Sequence, residues 1–117
     1  MPELPEVETV RKSLLSCCQQ KILKVEVHNP RLRWPIAAEF SAQIRGKNLN
    51  TISRRGKYLQ FHLDNGDQWI SHLGMSGYFY CANTEASRKK HDHVSFHFQD
   101  FILRYNDTRR FGSMFFL

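Results

Sequence analysis

Cysteine is scarce in this 117-residue chain, with Cys17, Cys18 and Cys81 the whole complement. An odd number without Cys-x-x-Cys spacing supports neither a disulfide framework nor a thiolate zinc site, so reduced thiols are expected. No run of eighteen apolar residues occurs, and no signal-peptide pattern opens the chain, so a cytoplasmic protein without membrane partners is predicted. Internal repeats and low-complexity tracts are also missing, which excludes solenoids and disordered linkers. Acidic residues are in deficit: eleven Asp and Glu face seventeen Lys and Arg, a formal charge of +6. That balance favours polyanionic partners, nucleic acid first. An apolar content of 41% is enough for one domain with a real core.

Hydrophobic spacing gives the expected elements. Val7, Val10, Leu14 and Cys17/Cys18 recur every three or four residues, which predicts a helix from Pro5 to about residue 19. Pro5 suits a first helical turn, and Glu6 and Glu8 complement the helix dipole there. Residues 22–28 read as a strand, and Arg31-Leu32-Arg33-Trp34-Pro35 as a basic aromatic loop. Ile36, Ala37, Phe40 and Ile44 form one face of a short helix that Gly46 stops. Strands follow at 49–55, 58–63, 68–73 and 78–81, with Asn65-Gly66 a two-residue hairpin signal. Beyond a polar loop at 82–90, Val94, Phe96 and Phe98 alternate with polar residues, as do Phe101, Leu103 and Tyr105. The predicted class is α+β, mainly β: an antiparallel β-sandwich of about eight strands and two helices, the N-terminal helix packed at one end.

The chemistry sits at the start. Removal of Met1 would leave Pro2 as a secondary amine at the N-terminus. A terminal amine has a reference pKa of about 8, so a usable fraction is unprotonated at neutral pH and can form an iminium with an electrophilic carbon. Glu3 lies beside it, placed to move protons. With Met1 still attached, the Pro2 nitrogen is a tertiary amide and no nucleophile. The plainer reading of the same stretch is a helix start.

Five blocks bear on that choice. They are Pro2-Glu-Leu-Pro-Glu-Val-Glu-Thr-Val-Arg11, Arg55-Gly-Lys-Tyr-Leu59, His72-Leu-Gly-Met-Ser-Gly77, Lys90-His-Asp-His-Val94 and Tyr105-Asn-Asp-Thr-Arg-Arg-Phe-Gly112. Together and in this order they resemble the N-terminal domain of the formamidopyrimidine-DNA glycosylase family (Fpg/MutM, with the Nei-type enzymes as relatives). The resemblance covers residues 1–117 and implies a base-excision repair glycosylase and abasic-site lyase. Such an enzyme removes oxidised purines (8-oxoguanine, formamidopyrimidines) through a Schiff base on an N-terminal proline, then cuts the strand by β,δ-elimination.

Carried over by position, the resemblance makes Pro2 the nucleophile, Glu3 the proton donor to the opening sugar and Glu6 a supporting carboxylate. Lys57 would hold a phosphate and assist elimination. Met75, Arg109 and Phe111 match the family's void-filling trio. An enzyme that extrudes a stacked base must fill the hole it leaves, and an apolar wedge such as Phe111 unstacks a base step. His72 and His91 would contact phosphates, with Arg55 and Arg110 adding charge. His91-x-His93 has a metal-like look, but two close histidines more often mark a strand surface, and no metal is predicted. No cofactor is expected in this chain; the resemblance places a structural zinc in a C-terminal region not represented in it.

The implied partner is double-stranded DNA with oxidised bases or abasic sites, in a bacterial cytosol or nucleoid. The helix–two-turn–helix and zinc-finger regions of intact members are missing from the chain, and Met114–Leu117 would lead into the linker. Three consequences are expected. Activity of the chain by itself is weak or nil, the missing half of the protein is a natural partner, and the bared C-terminal edge can self-associate. The alternatives are a catalytically silent damaged-DNA-binding fragment and a Nei-type enzyme preferring oxidised pyrimidines.

Overall fold

The computed structural model describes residues 4–117, with side chains from Val7 onward. Helix α1 spans Leu4–Ser13 and α2 spans Phe40–Ile44. Nine strands follow the chain as β1 Gln20–Lys21, β2 Lys24–Val27, β3 Asn48–Arg55, β4 Tyr58–Leu63, β5 Gln68–His72, β6 Gly77–Ala82, β7 Asp92–His97, β8 Ile102–Asp107 and β9 Ser113–Phe116. They form two antiparallel sheets, β1-β3-β4-β5-β9 and β2-β7-β8-β6. The predicted sandwich is the observed one, with the two-residue β1 and the edge strand β9 added to the strands placed from sequence.

Inward-facing residues of the two sheets make the core. Along β4, Leu59, Phe61 and Leu63 are buried and Tyr58, Gln60 and His62 face outward, the period of two the sequence shows. Phe61 pairs with Trp69 across β4 and β5 and stacks on it at 4.3 Å. Phe96 of the other sheet stacks on Trp69 at 4.8 Å, and the edge of Phe40 from α2 meets both rings. One indole thus joins both sheets and α2.

Helix α1 ends earlier than its apolar spacing predicts. Ser13 Oγ donates back to the Val10 carbonyl at 2.7 Å, and Leu14 N–H is shared between the Val10 and Arg11 carbonyls. The chain then tightens into a 3-10 turn, Leu15–Cys17, which keeps Leu14 and Cys17 on the buried side. Because β1 covers only the start of β3, the rest of that strand has an open edge. There Arg11 Nη1 donates to the Ile52 carbonyl at 3.2 Å, while Glu8 bridges Arg11 and Arg54. The helix thereby covers backbone that would otherwise be free to pair with another chain.

Two further sequence expectations change. The β4–β5 hairpin has a three-residue loop, because Leu63 N–H donates to the Asp67 carbonyl and Gly66 takes φ +90°. Asn65 closes it by accepting from Asp67 N–H, so Asn-Gly serves a longer turn than the two-residue one expected. Ser113–Phe116, expected from sequence only as an apolar tail, is a strand on the edge of the first sheet, paired with Trp69–His72 and burying Met114. The open edge of β5 gives its backbone partners that a linker would lack.

Candidate nucleic-acid interface

Three hairpin and loop segments converge at one end of the sandwich. The β5–β6 turn carries Met75, the β8–β9 connection carries Arg109 and Phe111, and the β3–β4 turn carries Lys57. All three side chains of the expected trio lie on one rim. Met75 and Phe111 are nearly half exposed, a costly state for large apolar groups in water, and Arg109 Nη1 lies 3.8 Å from Met75 Sδ.

The close packing of the two carrying loops depends on glycine. Gly74 has φ +64°, and a Cβ there would stand 2.6 Å from the Gly112 nitrogen and the Phe111 carbonyl carbon. A Cβ on Gly112 would fall 1.9 Å from the Tyr105 hydroxyl. Around these glycines the buried Asp107 carboxyl accepts four hydrogen bonds. Oδ1 takes Ser76 Oγ at 2.7 Å and Arg110 N–H at 3.0 Å; Oδ2 takes the Tyr105 hydroxyl at 2.8 Å and Gly112 N–H at 2.9 Å. Burial first, and Asp107 beside it, push the Tyr105 pKa up, so that hydroxyl stays a donor.

Behind the rim lies a cleft of about 480 Å³ lined by Arg33, Trp34, Tyr58, His72, Met75 and Phe111, among others. His72 Nδ1 accepts from Gly74 N–H at 3.0 Å. Burial, then the charges of Lys57 and Arg33, hold its pKa below the ordinary histidine value. The ring is therefore neutral at pH 7 with its proton on Nε2, a donor suited to a phosphate oxygen. Lys57 is near enough to act on that ring electrostatically. Arg55 is exposed at the end of β3, next to the same turn.

A second, basic cleft of about 350 Å³ is lined by Asn29, Arg88, Lys90, His91, His93, Thr108 and Arg110. Asp92 arranges it by accepting from Lys89 N–H, Asn106 and the Tyr80 hydroxyl, while its own carbonyl accepts from Arg88. Burial alone would raise the Asp92 pKa, but these bonds outweigh it and hold the carboxyl below the usual range. His93 is no strand-surface residue: it is buried, with Nε2 2.7 Å from the Asp107 carbonyl oxygen. Among the described residues no group of three His, Cys, Asp or Glu side chains converges as a metal site would require.

Of the residues singled out by sequence, Met75, Arg109 and Phe111 share the rim, His72 lines one cleft and His91 and Arg110 the other. Pro2, Glu3 and the Glu6 side chain lie outside the described residues. The sequence reading missed Arg33 and Trp34, whose basic aromatic loop docks through Arg33 N–H on the Gly112 carbonyl at 3.0 Å. An exposed-type Arg-Leu-Arg-Trp-Pro run was the available signal. It also missed Asp107, Ser76 and Tyr105, whose meeting is set by tertiary packing.

Residues 1–114 match the family model described as the formamidopyrimidine-DNA glycosylase N-terminal domain. The formamidopyrimidine-DNA glycosylase of Acinetobacter baumannii (strain SDF) is 46% identical over 117 residues, covering all of this chain and 42% of that protein. A Lactococcus lactis formamidopyrimidine-DNA glycosylase bound to DNA containing an abasic site superposes with TM-score 0.91 at 41% identity, over 99% of this chain and 45% of that one. The wild-type L. lactis protein with oxidised-pyrimidine DNA gives TM-score 0.92 at 42% identity, over 99% and 44%. The chain thus spans less than half the length of the relatives it matches.

Proposed function

The chain belongs to the formamidopyrimidine-DNA glycosylase N-terminal domain family, and from that premise we propose that it is the catalytic and lesion-engaging domain of a base-excision repair glycosylase and abasic-site lyase. Its substrate is duplex DNA carrying an oxidised base, with oxidised purines preferred, or an abasic site. What carries the reading is the common rim of Met75, Arg109 and Phe111 beside neutral His72 and cationic Lys57. A wedge (Phe111), donors for the cytosine left unpaired (the Arg109 guanidinium) and phosphate grips are needed together, because base extrusion leaves a gap and a strained backbone.

In the proposed reaction the Pro2 amine attacks C1′ of the damaged nucleotide and the base departs with the C1′–N bond electrons. Glu3 protonates the opening sugar oxygen, with Glu6 in support. The resulting iminium acidifies C2′–H, and β- then δ-elimination releases the 3′ and 5′ phosphates, with Lys57 holding a phosphate and supplying a proton. His72, His91, Arg55 and Arg110 bind backbone oxygens. His91 and His93 do not fit a zinc site, since His93 is committed to the Asp107 carbonyl and no third ligand converges among the described residues. The remaining length of such a protein supplies further grip on DNA, and the setting is the bacterial cytosol or nucleoid.

Borohydride trapping tests this. Chain whose intact mass lacks Met1 should become covalently fixed to abasic duplex in the presence of borohydride, and Pro2→Gly should trap less. A des-Met chain that binds the duplex but is never trapped would establish the silent DNA-binding reading instead.

A further inference from the structure

We propose that Asp107 is a positioning residue that couples the two void-filling loops, so that Met75, Arg109 and Phe111 enter the duplex as one unit. The inference rests on the lesion-binding function proposed above. Met75 belongs to the β5–β6 turn, whereas Arg109 and Phe111 belong to the β8–β9 connection. Nothing in chain order holds these segments in register. The Asp107 carboxyl does so, with both oxygens doubly occupied: two donors are backbone N–H groups of its own loop, one is Tyr105, and one is Ser76 from the opposite loop. Ser76 Oγ in turn accepts from Arg109 N–H at 3.0 Å, which closes a bridge from the Met75 loop to the backbone of Arg109. Asp107, Tyr105 and Gly112 are buried, Ser76 is partly buried, and the Ser76–Arg109 bond lies at the exposed rim beside Met75 and Phe111.

The geometry makes Asn an informative replacement. An amide has one acceptor oxygen, and its NH2 must face the other pair of donors. Hydroxyls of Ser76 or Tyr105 can rotate to accept from it, but the N–H of Arg110 or Gly112 cannot. Whichever way the amide turns, one anchor of the 107–112 loop is lost. Ser76→Ala is milder and more selective. It removes the cross-loop bridge and leaves the Asp107 bonds to Tyr105, Arg110 and Gly112 in place.

The test uses the full chain and two duplexes, one undamaged and one with a tetrahydrofuran abasic analogue flanked by 2-aminopurine. Anisotropy gives both affinities and their salt dependence; 2-aminopurine fluorescence reports unstacking by the wedge. Asp107→Asn and Ser76→Ala should each lower the preference for the abasic duplex by about ten-fold and reduce the fluorescence rise. For Ser76→Ala, binding to undamaged duplex and its salt slope should stay unchanged, because net charge and the Asp107 bond to Arg110 N–H are both retained. Leu63→Ala, a core change at the distant β4–β5 hairpin, should keep the preference despite a lower melting temperature. If Leu63→Ala loses it equally, or if Ser76→Ala keeps both preference and fluorescence, Asp107 does not position the trio. A wild-type chain with no preference for the abasic duplex would instead refute the lesion-binding reading itself, and this proposal with it.

Discussion

Replacing Gly74 by alanine tests the packing of the two loops without touching any group assigned to DNA. The substitution has two separable costs. At φ +64° an L-residue is strained by about 1–2 kcal/mol. The new Cβ also lies 2.6 Å from backbone atoms of Phe111 and Gly112, which cannot rotate away as a side chain can. The 109–112 segment must retreat by about 1 Å, and overpacking of this kind costs about 1–3 kcal/mol. Gly46 supplies the control: its φ is +84°, but a Cβ there meets nothing within 4 Å. At roughly 4 °C per kcal/mol for a domain of this size, Gly46→Ala should melt about 6 °C below wild type and Gly74→Ala about 14 °C below. Differential scanning calorimetry at one pH and salt concentration gives both values. Gly74→Ala should also lose preference for an abasic duplex, because Phe111 moves relative to Met75. Equal melting losses for the two variants, within about 2 °C, would refute the argument: the β8–β9 connection would then yield freely, and loop-on-loop packing would not hold the trio.

The remaining predictions concern core, thiols and charge. Trp69→Ala removes the ring stacked between Phe61 and Phe96 and should cost about 3–5 kcal/mol in chemical denaturation, whereas a loss below about 1 kcal/mol would mean that the indole does not join the sheets. The Cys81 thiol lies 3.6 Å from Cys17 Sγ and is held down to about 7 by hydrogen bonding from Cys17, against the opposing effect of burial. The thiolate is the reactive form, so alkylation of Cys81 should rise through about pH 7 and level off above pH 8, with buried Cys17 labelled far more slowly; equal labelling of both would contradict the pairing. Arg110→Ala should weaken binding to damaged and undamaged duplex alike and reduce the log-log salt slope by about 1, whereas an unchanged slope would remove Arg110 from the phosphate path.

The sequence by itself determined much of the architecture. Alternation in residues 58–63, 94–98 and 101–105 identified strands, three- and four-residue spacing identified α1, and both followed because buried faces impose those periods wherever the partner lies. The five motif blocks likewise named the trio and His72 before any of them had a position. Several features were decided only by tertiary structure. Helix α1 stops at Ser13 because of local back-bonding and a 3-10 turn that keep the same face buried. Residues 113–116 pair as β9 because β5 offers an open edge. His93, Arg104 and Asn106 are buried although their pattern reads as solvent-facing: the loop before β7 bonds Arg104 and Asp92, and His93, at the register shift between Asp92 and Val94, turns onto the Asp107 carbonyl. The Asp107 junction belongs to the same class. Its donors come from residues 76, 105, 110 and 112. A carboxyl that gathers donors from two loops has no periodic signature: the requirement arises only when the loops meet.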